Sequence, residues 1–225
     1  MSHSLVDLQS QILNAFQFRH ACKVMDAERK IPDEVFQTLL ETARLSPSSF
    51  GFEPWKILVV QNSDLREKLK PLVWGAQNTL PTASHFVIVL ARTAKSMRYD
   101  SDYIQHMMKE VHGLPDDVVE VRGGFYKQFQ ESDFDLLLSD RAMLDWATKQ
   151  TYIALANMMT SAALMEIDTC PIEGFKQRET NELLAAEFGV DTSEYQAAYM
   201  LAFGYRVNPQ NPKTRQKAEE VIEWF

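Results

Sequence analysis

Most of the common devices of catalysis are missing from this chain of 225 residues. There are only two cysteines, Cys22 and Cys170, far apart and outside any CxxC pair. Two free thiols of a reducing compartment fit them better than a disulfide framework or a thiolate zinc site. None of the eight glycines falls in a GxGxxG pattern, which leaves no nicotinamide-binding Rossmann fingerprint. GxxxxGK(S/T), HExxH and GxSxG are absent too, so a P-loop, a zinc-protease helix and a hydrolase nucleophile elbow have no support. The five histidines are scattered. His106 and His112 read as surface residues rather than ligands, and no metal site is expected. Positive charge is in deficit: the formal net charge is −8, which argues against unassisted nucleic-acid binding. The opening MSHSLVDLQSQILNAF has neither the basic start nor the apolar run of a secretory signal. No stretch reaches the roughly 20 apolar residues of a membrane span. These absences point to a cytoplasmic protein with no nucleic-acid or membrane partner. Any redox or group-transfer chemistry would have to belong to a bound cofactor.

What the chain does have is a core. At 45% hydrophobic residues it can bury one sizeable interior, read as a single domain over residues 1–225. The stretch from Asp140 to Phe175 stands at its centre. From Gln150 to Met165 there is no charge, and Leu144, Ala147, Ile153, Leu155, Met158, Met159 and Leu164 run most of the way round a helical wheel. A helix apolar nearly all round is buried on all sides. Gln150, Thr151, Asn157, Thr160 and Ser161 make it a protein core helix, of the kind two subunits can share. It then breaks into Pro171-Ile172-Glu173-Gly174-Phe175, a turn that sets polar backbone beside a packed core and suits a flat, largely apolar ligand.

The remaining periodicities are mostly helical. Leu5, Leu8, Ile12, Leu13 and Phe16 outline an opening amphipathic helix, ended by the basic Arg19-His20-Ala21-Cys22-Lys23. Pro32 at a first helical position, with Asp33 and Glu34 behind it, starts a second helix running to about Leu45. The turn-rich Ser46-Pro47-Ser48-Ser49-Phe50-Gly51-Phe52-Glu53-Pro54-Trp55 leads into a β-type run, Lys56–Val60. Asp64 and Glu67 have the spacing of a capping box for a helix through Leu72. His85–Ala91 and Gln196–Tyr205 read as core strands. Residues 99–131 form a polar helical excursion that could cover a site. Glu179–Phe188 is helical with Gly189 as its stop, and a last amphipathic helix is expected after Lys213-Thr214-Arg215. Helices around a few strands, without regular alternation, give an α+β fold.

Four segments together, Arg19-His20-x-x-Lys23, PSSxxxxPW at Pro47–Trp55, PIEG at Pro171–Gly174 and Lys213-x-Arg215, resemble the nitroreductase family, nearly end to end and in the same order. The resemblance implies a mostly antiparallel central sheet flanked by helices, in an intertwined homodimer with a long buried central helix. It implies FMN as bound cofactor and NAD(P)H as reducing co-substrate. A hydride would pass to the flavin N5, and electrons would then pass to a small-molecule oxidant such as a nitroaromatic or quinone, in a two-step exchange with no catalytic side chain. Arg19, His20, Ala21 and Lys23 carry over as flavin contacts, with Lys213 and Arg215 as further phosphate ligands. Arg suits a phosphate because its planar fork makes bidentate, charge-assisted bonds. Lys23 would favour the anionic reduced flavin. Pro47, Ser48 and Ser49 carry over as contacts from the partner subunit, Pro171, Ile172, Glu173 and Gly174 as contacts to the ring system, and Gln77 as a further flavin contact. Phe125, Phe129 and Phe134 are candidates to line the substrate shelf.

Two departures stand out. Gly51 and Glu53 replace the Asn and Gln of many members, and the segment Gly75–Thr79 lacks the cation that some members place there. Alternatives are another flavin branch (enone or pteridine reduction, or flavin breakdown), a non-catalytic FMN-binding protein, and a helical dimer whose basic segments are only surface.

Overall fold

The computed structural model describes residues 4–225. Four strands form one sheet in the order β1 (Trp55–Val59), β2 (His85–Arg92), β4 (Tyr195–Gly204), β3 (Asp168–Ile172), every neighbouring pair antiparallel. The central strand β2 is buried from His85 to Ala91. Its alternate side chains feed two cores, as the period of two requires. Phe86, Ile88 and Leu90 pack with Met200, Ala202, Cys170 and Ile172 on one face; Val87 and Val89 join Tyr199, Leu201 and Phe203 on the other. The first face is covered by α3 (Ser63–Leu69), the short turn α4 (Thr79–Thr82) and α9 (Gln177–Phe188). The second is covered by α2 (Asp33–Arg44) and the long central helix α8 (Asp140–Leu164).

A third core belongs to the excursion. Here α5 (Ala94–Met97), α6 (Asp102–His106), the helical turn Met107–Val111 and α7 (Asp116–Gln128) pack Met97, Ile104, Met108 and Tyr126 against Met143, Trp146 and Ala147 of α8. The first helix, α1 (Leu5–Phe18), is closed by a capping box in which Ser4 accepts from Asp7 N and Asp7 accepts from Ser4 N. Among its described residues only Ala15 is buried, while Leu5 is 79% and Leu13 65% exposed.

Several local expectations change. Asn62, not Asp64, caps α3, its side chain accepting from Leu65 N at 3.1 Å, and the helix ends at Leu69 because Leu72 already belongs to the turn that follows. Pro32 is the cap position of α2 rather than its first residue. Pro171 and Ile172 lie in strand β3, and the turn begins only at Glu173. A proline is tolerated there because the strand lies at the sheet edge, where its missing N–H interrupts no second ladder. The last amphipathic helix does not form. Only Ala218–Glu220 makes a single 3₁₀ turn, and Val221, Ile222, Trp224 and Phe225 are all exposed. A helix that short gains little without a surface to bury against. No described helix is long and apolar enough to cross a membrane.

Candidate functional site

Local chain geometry explains how the basic segments meet. After α1 the backbone runs along the free edge of β3, with Ala21 bridging Thr169 in parallel and Cys22 N donating to Thr169 O at 3.0 Å. This fixes Arg19, His20 and Lys23 beside the strand that carries Pro171 and Ile172. Lys23 Nζ reaches Cys170 Sγ at 3.5 Å. The chain after β4 returns to the same corner. Arg206 Nη2 donates to Phe18 O at 3.0 Å, Gln210 Nε2 to Gln17 O at 2.9 Å, and Lys213 Nζ to Arg19 O. These donors close the otherwise open carbonyls at the C-terminus of α1, where the helix dipole attracts cations.

The cations exceed what that helix end needs. Arg19, Lys23, Lys213 and Arg215 have no carboxylate partner among the described residues. Lys213 is held below its usual range, first by burial and then by repulsion from Arg19, Arg215 and Arg206. A chain that is acidic overall thus gathers repelling positive charge at one corner. Three buried polar atoms without partners among the described residues, His20 Nδ1, Thr169 Oγ1 and Gln210 Oε1, belong to the same segments. Unpaired buried polar groups and clustered cations together mark a place for an anionic, hydrogen-bonding ligand.

Asp168 lies beneath this corner and does not complete a metal site. The donor atoms of His20, Cys22 and Asp168 lie within 4.8 Å of one another. However, the Asp168 carboxylate is taken by Arg206 Nη2 at 2.6 Å and by the Arg206 backbone N–H at 2.8 Å. The Cys22 thiol, pushed up to about 11 chiefly by burial, keeps its proton. His20 Nδ1 is 3.5 Å from Asp168 without an aligned hydrogen bond. Burial, followed by Arg206, lowers its pKa. The cluster is built around an ion pair.

The rim after β3 is set by a close backbone approach. Gly75 N donates to Gly174 O at 2.8 Å. A Cβ added to Gly174 would lie 2.9 Å from both Cα and N of Gly75 and 3.0 Å from the Trp74 ring. Glu173 is exposed and accepts from Tyr152 Oη of α8. Gln77 is turned to local use: its amide donates to Lys70 O at 2.6 Å and Val73 O at 2.8 Å, leaving only its oxygen for a ligand.

The serine loop lies elsewhere. Ser49 N donates to Gln150 Oε1 at 2.9 Å, and Asn157 Nδ2 donates to Ser46 Oγ at 2.8 Å. Lys213 instead lines a groove with Ala163, Leu164 and Glu166. Gln150 and Leu164 are separated by about 20 Å of helix rise. The structure therefore brings Arg19, His20, Ala21, Lys23 and Lys213–Arg215 toward the C-terminal end of α8 and Pro47, Ser48 and Ser49 toward Gln150, with the Pro171–Gly174 segment running between them until Glu173 meets Tyr152.

The sequence model described as Nitroreductase family matches residues 17–205, more than half of the chain. The chain belongs to the nitroreductase family. It is 51% identical over 220 residues, 98% of this chain and 100% of the relative, to a Bacillus subtilis protein provisionally named NAD(P)H nitroreductase YfkO. Among solved structures, a nitroreductase-type protein of Exiguobacterium sibiricum crystallised in complex with FMN matches with a TM-score of 0.75 at 22% identity, over 95% of this chain and 97% of that one. The Bacillus subtilis structure named ydfN matches with a TM-score of 0.78 at 20% identity, over 96% and 100% of the two chains.

Within this nitroreductase fold, some residues beside the site carry no sequence signal. The Asp168–Arg206 pair, the Trp74-Gly75 contact to Gly174 and the Tyr152–Glu173 bond all join segments distant in the chain. His112 is not a plain surface residue, since its Nε2 bonds Gly51 O at 2.9 Å. Phe129 packs in an aromatic cluster with Phe50, Tyr126 and Trp146, whereas Phe125 and Phe134 are exposed. Glu53, of open role in the sequence, is a turn residue with φ +44°.

Proposed function

We propose that this chain is a single-domain, cytoplasmic, FMN-dependent NAD(P)H oxidoreductase of the nitroreductase type, working as a homodimer on nitroaromatic, quinone or similar acceptors. The observation that carries the reading is the corner where Arg19 and Arg215 crowd the partly buried Lys213 beside the strand edge that Ala21 bridges at Thr169. A phosphate dianion would relieve that repulsion, and the residues present fit FMN. Arg19 and Arg215 would grip the phosphate. Lys213 would add a third charge while holding the end of α1. His20 and Ala21 would flank the flavin, with Lys23 near its ring system. Pro171, Ile172, Glu173 and Gly174 would present backbone to the ring, with Gln77 offering its side-chain oxygen.

FMN supplies the redox chemistry when bound, accepting hydride from NAD(P)H and passing electrons to the acceptor. The chain's part is to bind, orient and shield. Buried thiols at Cys22 and Cys170, both raised by burial, keep competing nucleophiles protonated near the site. The separation of the serine loop from the basic corner along α8 supports a dimer, because a second copy can bring Pro47, Ser48 and Ser49 to a corner their own chain does not. The apolar residues left open on α1, with Ile153 and Leu164 on α8 and Trp224 and Phe225 at the chain end, offer the surface for it.

The test is a visible spectrum of the purified protein, recorded before and after NADH or NADPH is added without oxygen. Flavin bands that bleach support the reading and identify the nucleotide used. A flavin that does not bleach replaces it with a binding module. A colourless protein that takes up no FMN overturns it.

A further inference from the structure

We propose that Arg122, His112 and Tyr103 of the helical excursion are positioning residues for the cofactor, holding the Ser48–Glu53 loop in a backbone shape it would not keep alone. The inference rests on the reading of Ser48 and Ser49 as FMN contacts and adds residues that would never touch the flavin.

The loop is strained. Within four positions, Phe50 has φ +58°, Gly51 φ +70° and Glu53 φ +44°, so two residues with side chains occupy the left-handed region. Such residues persist only where their surroundings over-determine them. The loop satisfies its own donors: Gly51 N bonds Ser48 O at 2.9 Å, and Glu53 N bonds Ser48 Oγ at 2.9 Å. Three consecutive acceptors, Phe50 O, Gly51 O and Phe52 O, are satisfied from outside, while Glu53 O takes Trp55 N at 2.7 Å. Arg122 Nη2 donates to Phe50 O, His112 Nε2 to Gly51 O at 2.9 Å, and Tyr103 Oη to Phe52 O at 2.7 Å, with Glu53 O 3.1 Å from the same hydroxyl.

Three consecutive carbonyls are thus held by three side chains of the excursion, which spans the segment from α6 to α7. The aromatic side chains reinforce the same attachment. Phe50 and Phe52 each lie 4.8 Å, centroid to centroid, from Tyr126. On the opposite flank Gln150 of α8 receives Ser49 N. Ser48 and Ser49 therefore sit between a strained turn clamped by the excursion and a fixed point on the central helix. A first shell placed this way depends on its supporting shell for geometry. Losing one donor leaves a partly buried carbonyl unpaired and the turn free to relax.

The experiment measures FMN release on dilution of the holoprotein, followed by flavin fluorescence. Tyr103→Phe removes one hydroxyl and nothing else, while Arg122→Met keeps the stem and removes the donors. Each should raise the FMN dissociation constant about threefold, and the pair about tenfold, in a protein that still folds as judged by circular dichroism. Arg122→Lys, which restores a donor, should recover most of the loss, and Glu120→Gln on the exposed face of α7 should change nothing. A merely structural role would lower the melting temperature without this selective rescue. Should the double variant fail to fold, Tyr103→Phe alone decides. An unchanged dissociation constant in these variants, with FMN still lost in an Arg19→Ala and Arg215→Ala double variant, overturns the positioning role and spares the cofactor site. A wild-type protein that binds no FMN overturns both.

Discussion

The basic corner and the serine loop solve opposite problems. In the loop, strained backbone is closed by its own chain, with three consecutive carbonyls capped by Arg122, His112 and Tyr103. In the corner, charge is left over: among the described residues Arg19, Lys23 and Arg215 have no carboxylate partner, and burial, then its cationic neighbours, hold Lys213 below its usual range. The loop is a shape the fold maintains. The corner is a charge excess the fold tolerates. Two parts of one proposed site therefore respond differently to mutation: changes in the corner should act on ligand binding directly, and changes in the loop should act on it through the backbone shape.

The largest effect expected from that contrast is in the corner. The double variant Arg19→Ala and Arg215→Ala should lose FMN affinity by at least about 100-fold, since hydrogen bonds to charged groups contribute about 1.5–3 kcal/mol each. Its melting temperature without FMN should be unchanged or higher, because two of the charges repelling Lys213 are gone. Flavin content after gel filtration, with a thermal melt of the apoprotein, checks both halves. A variant that keeps full flavin removes the phosphate assignment.

Gly174→Ala comes next and blurs the contrast, because here the corner behaves as shape. The new methyl group would meet backbone atoms of Gly75 at 2.9 Å, and backbone cannot swing aside as a side chain can. Overpacking of this kind costs about 1–3 kcal/mol. A fall in apoprotein melting temperature, with FMN lost in parallel, is the expected result. A neutral Gly174→Ala would mean that the 72–76 turn moves freely against β3. Gly51→Ala should cost less, about 1 kcal/mol, for placing an L side chain at φ +70°. The added Cβ meets nothing closer than His112 Nε2 at 3.4 Å. Urea unfolding of apoprotein separates that loss from the larger one.

How much of this was legible in the sequence follows from the range of the interactions. The central helix, the buried strands His85–Ala91 and Gln196–Tyr205, and the α+β class are local patterns; the two strands appear within a residue of their expected ends, while the helix marked by the uncharged run Gln150–Met165 extends back to Asp140. Strand β3 escaped because Asp168-Thr169-Cys170-Pro171-Ile172 has weak strand character by itself. Its pairing with β4 and the bridge from Ala21 define it. The last helix failed for the reverse reason, a sequence with helical spacing and no surface to pack against. Among site residues, the four family segments could be marked by motif. The three carbonyl clamps of the loop could not, because His112 and Arg122 are 61 and 72 positions from their partners. The sequence holds no trace of such a contact, and His112 accordingly read as surface.

The smallest effect is one of pH, and it separates the corner from the body of the protein. Burial is the first cause lowering the pKa of both His20 and His85 from the ordinary value. His20 sits in the corner, whereas His85 stacks on Phe36 at 3.8 Å in the core below β2. In each case the native state prefers the neutral ring, and the unfolded chain takes up a proton first as pH falls past about 6.5. The unfolded state then binds more protons than the native one, so stability rises with pH in that window. It is fully present above about 6.5 and is lost as pH falls through the lowered native pKa, with a slope of at most about 1.4 kcal/mol per pH unit for each ring. Bound phosphate adds negative charge beside His20 and should lift its native pKa back toward the ordinary value, while His85 stays as it was. Melting temperatures of apo and holo protein between pH 7.5 and 5 should therefore diverge in slope, the holo form falling less steeply. His20→Gln should abolish that difference, and His85→Gln should flatten both curves equally. Parallel slopes for apo and holo wild type would place the phosphate away from His20 and confine the corner's contacts to Arg19, Lys213 and Arg215.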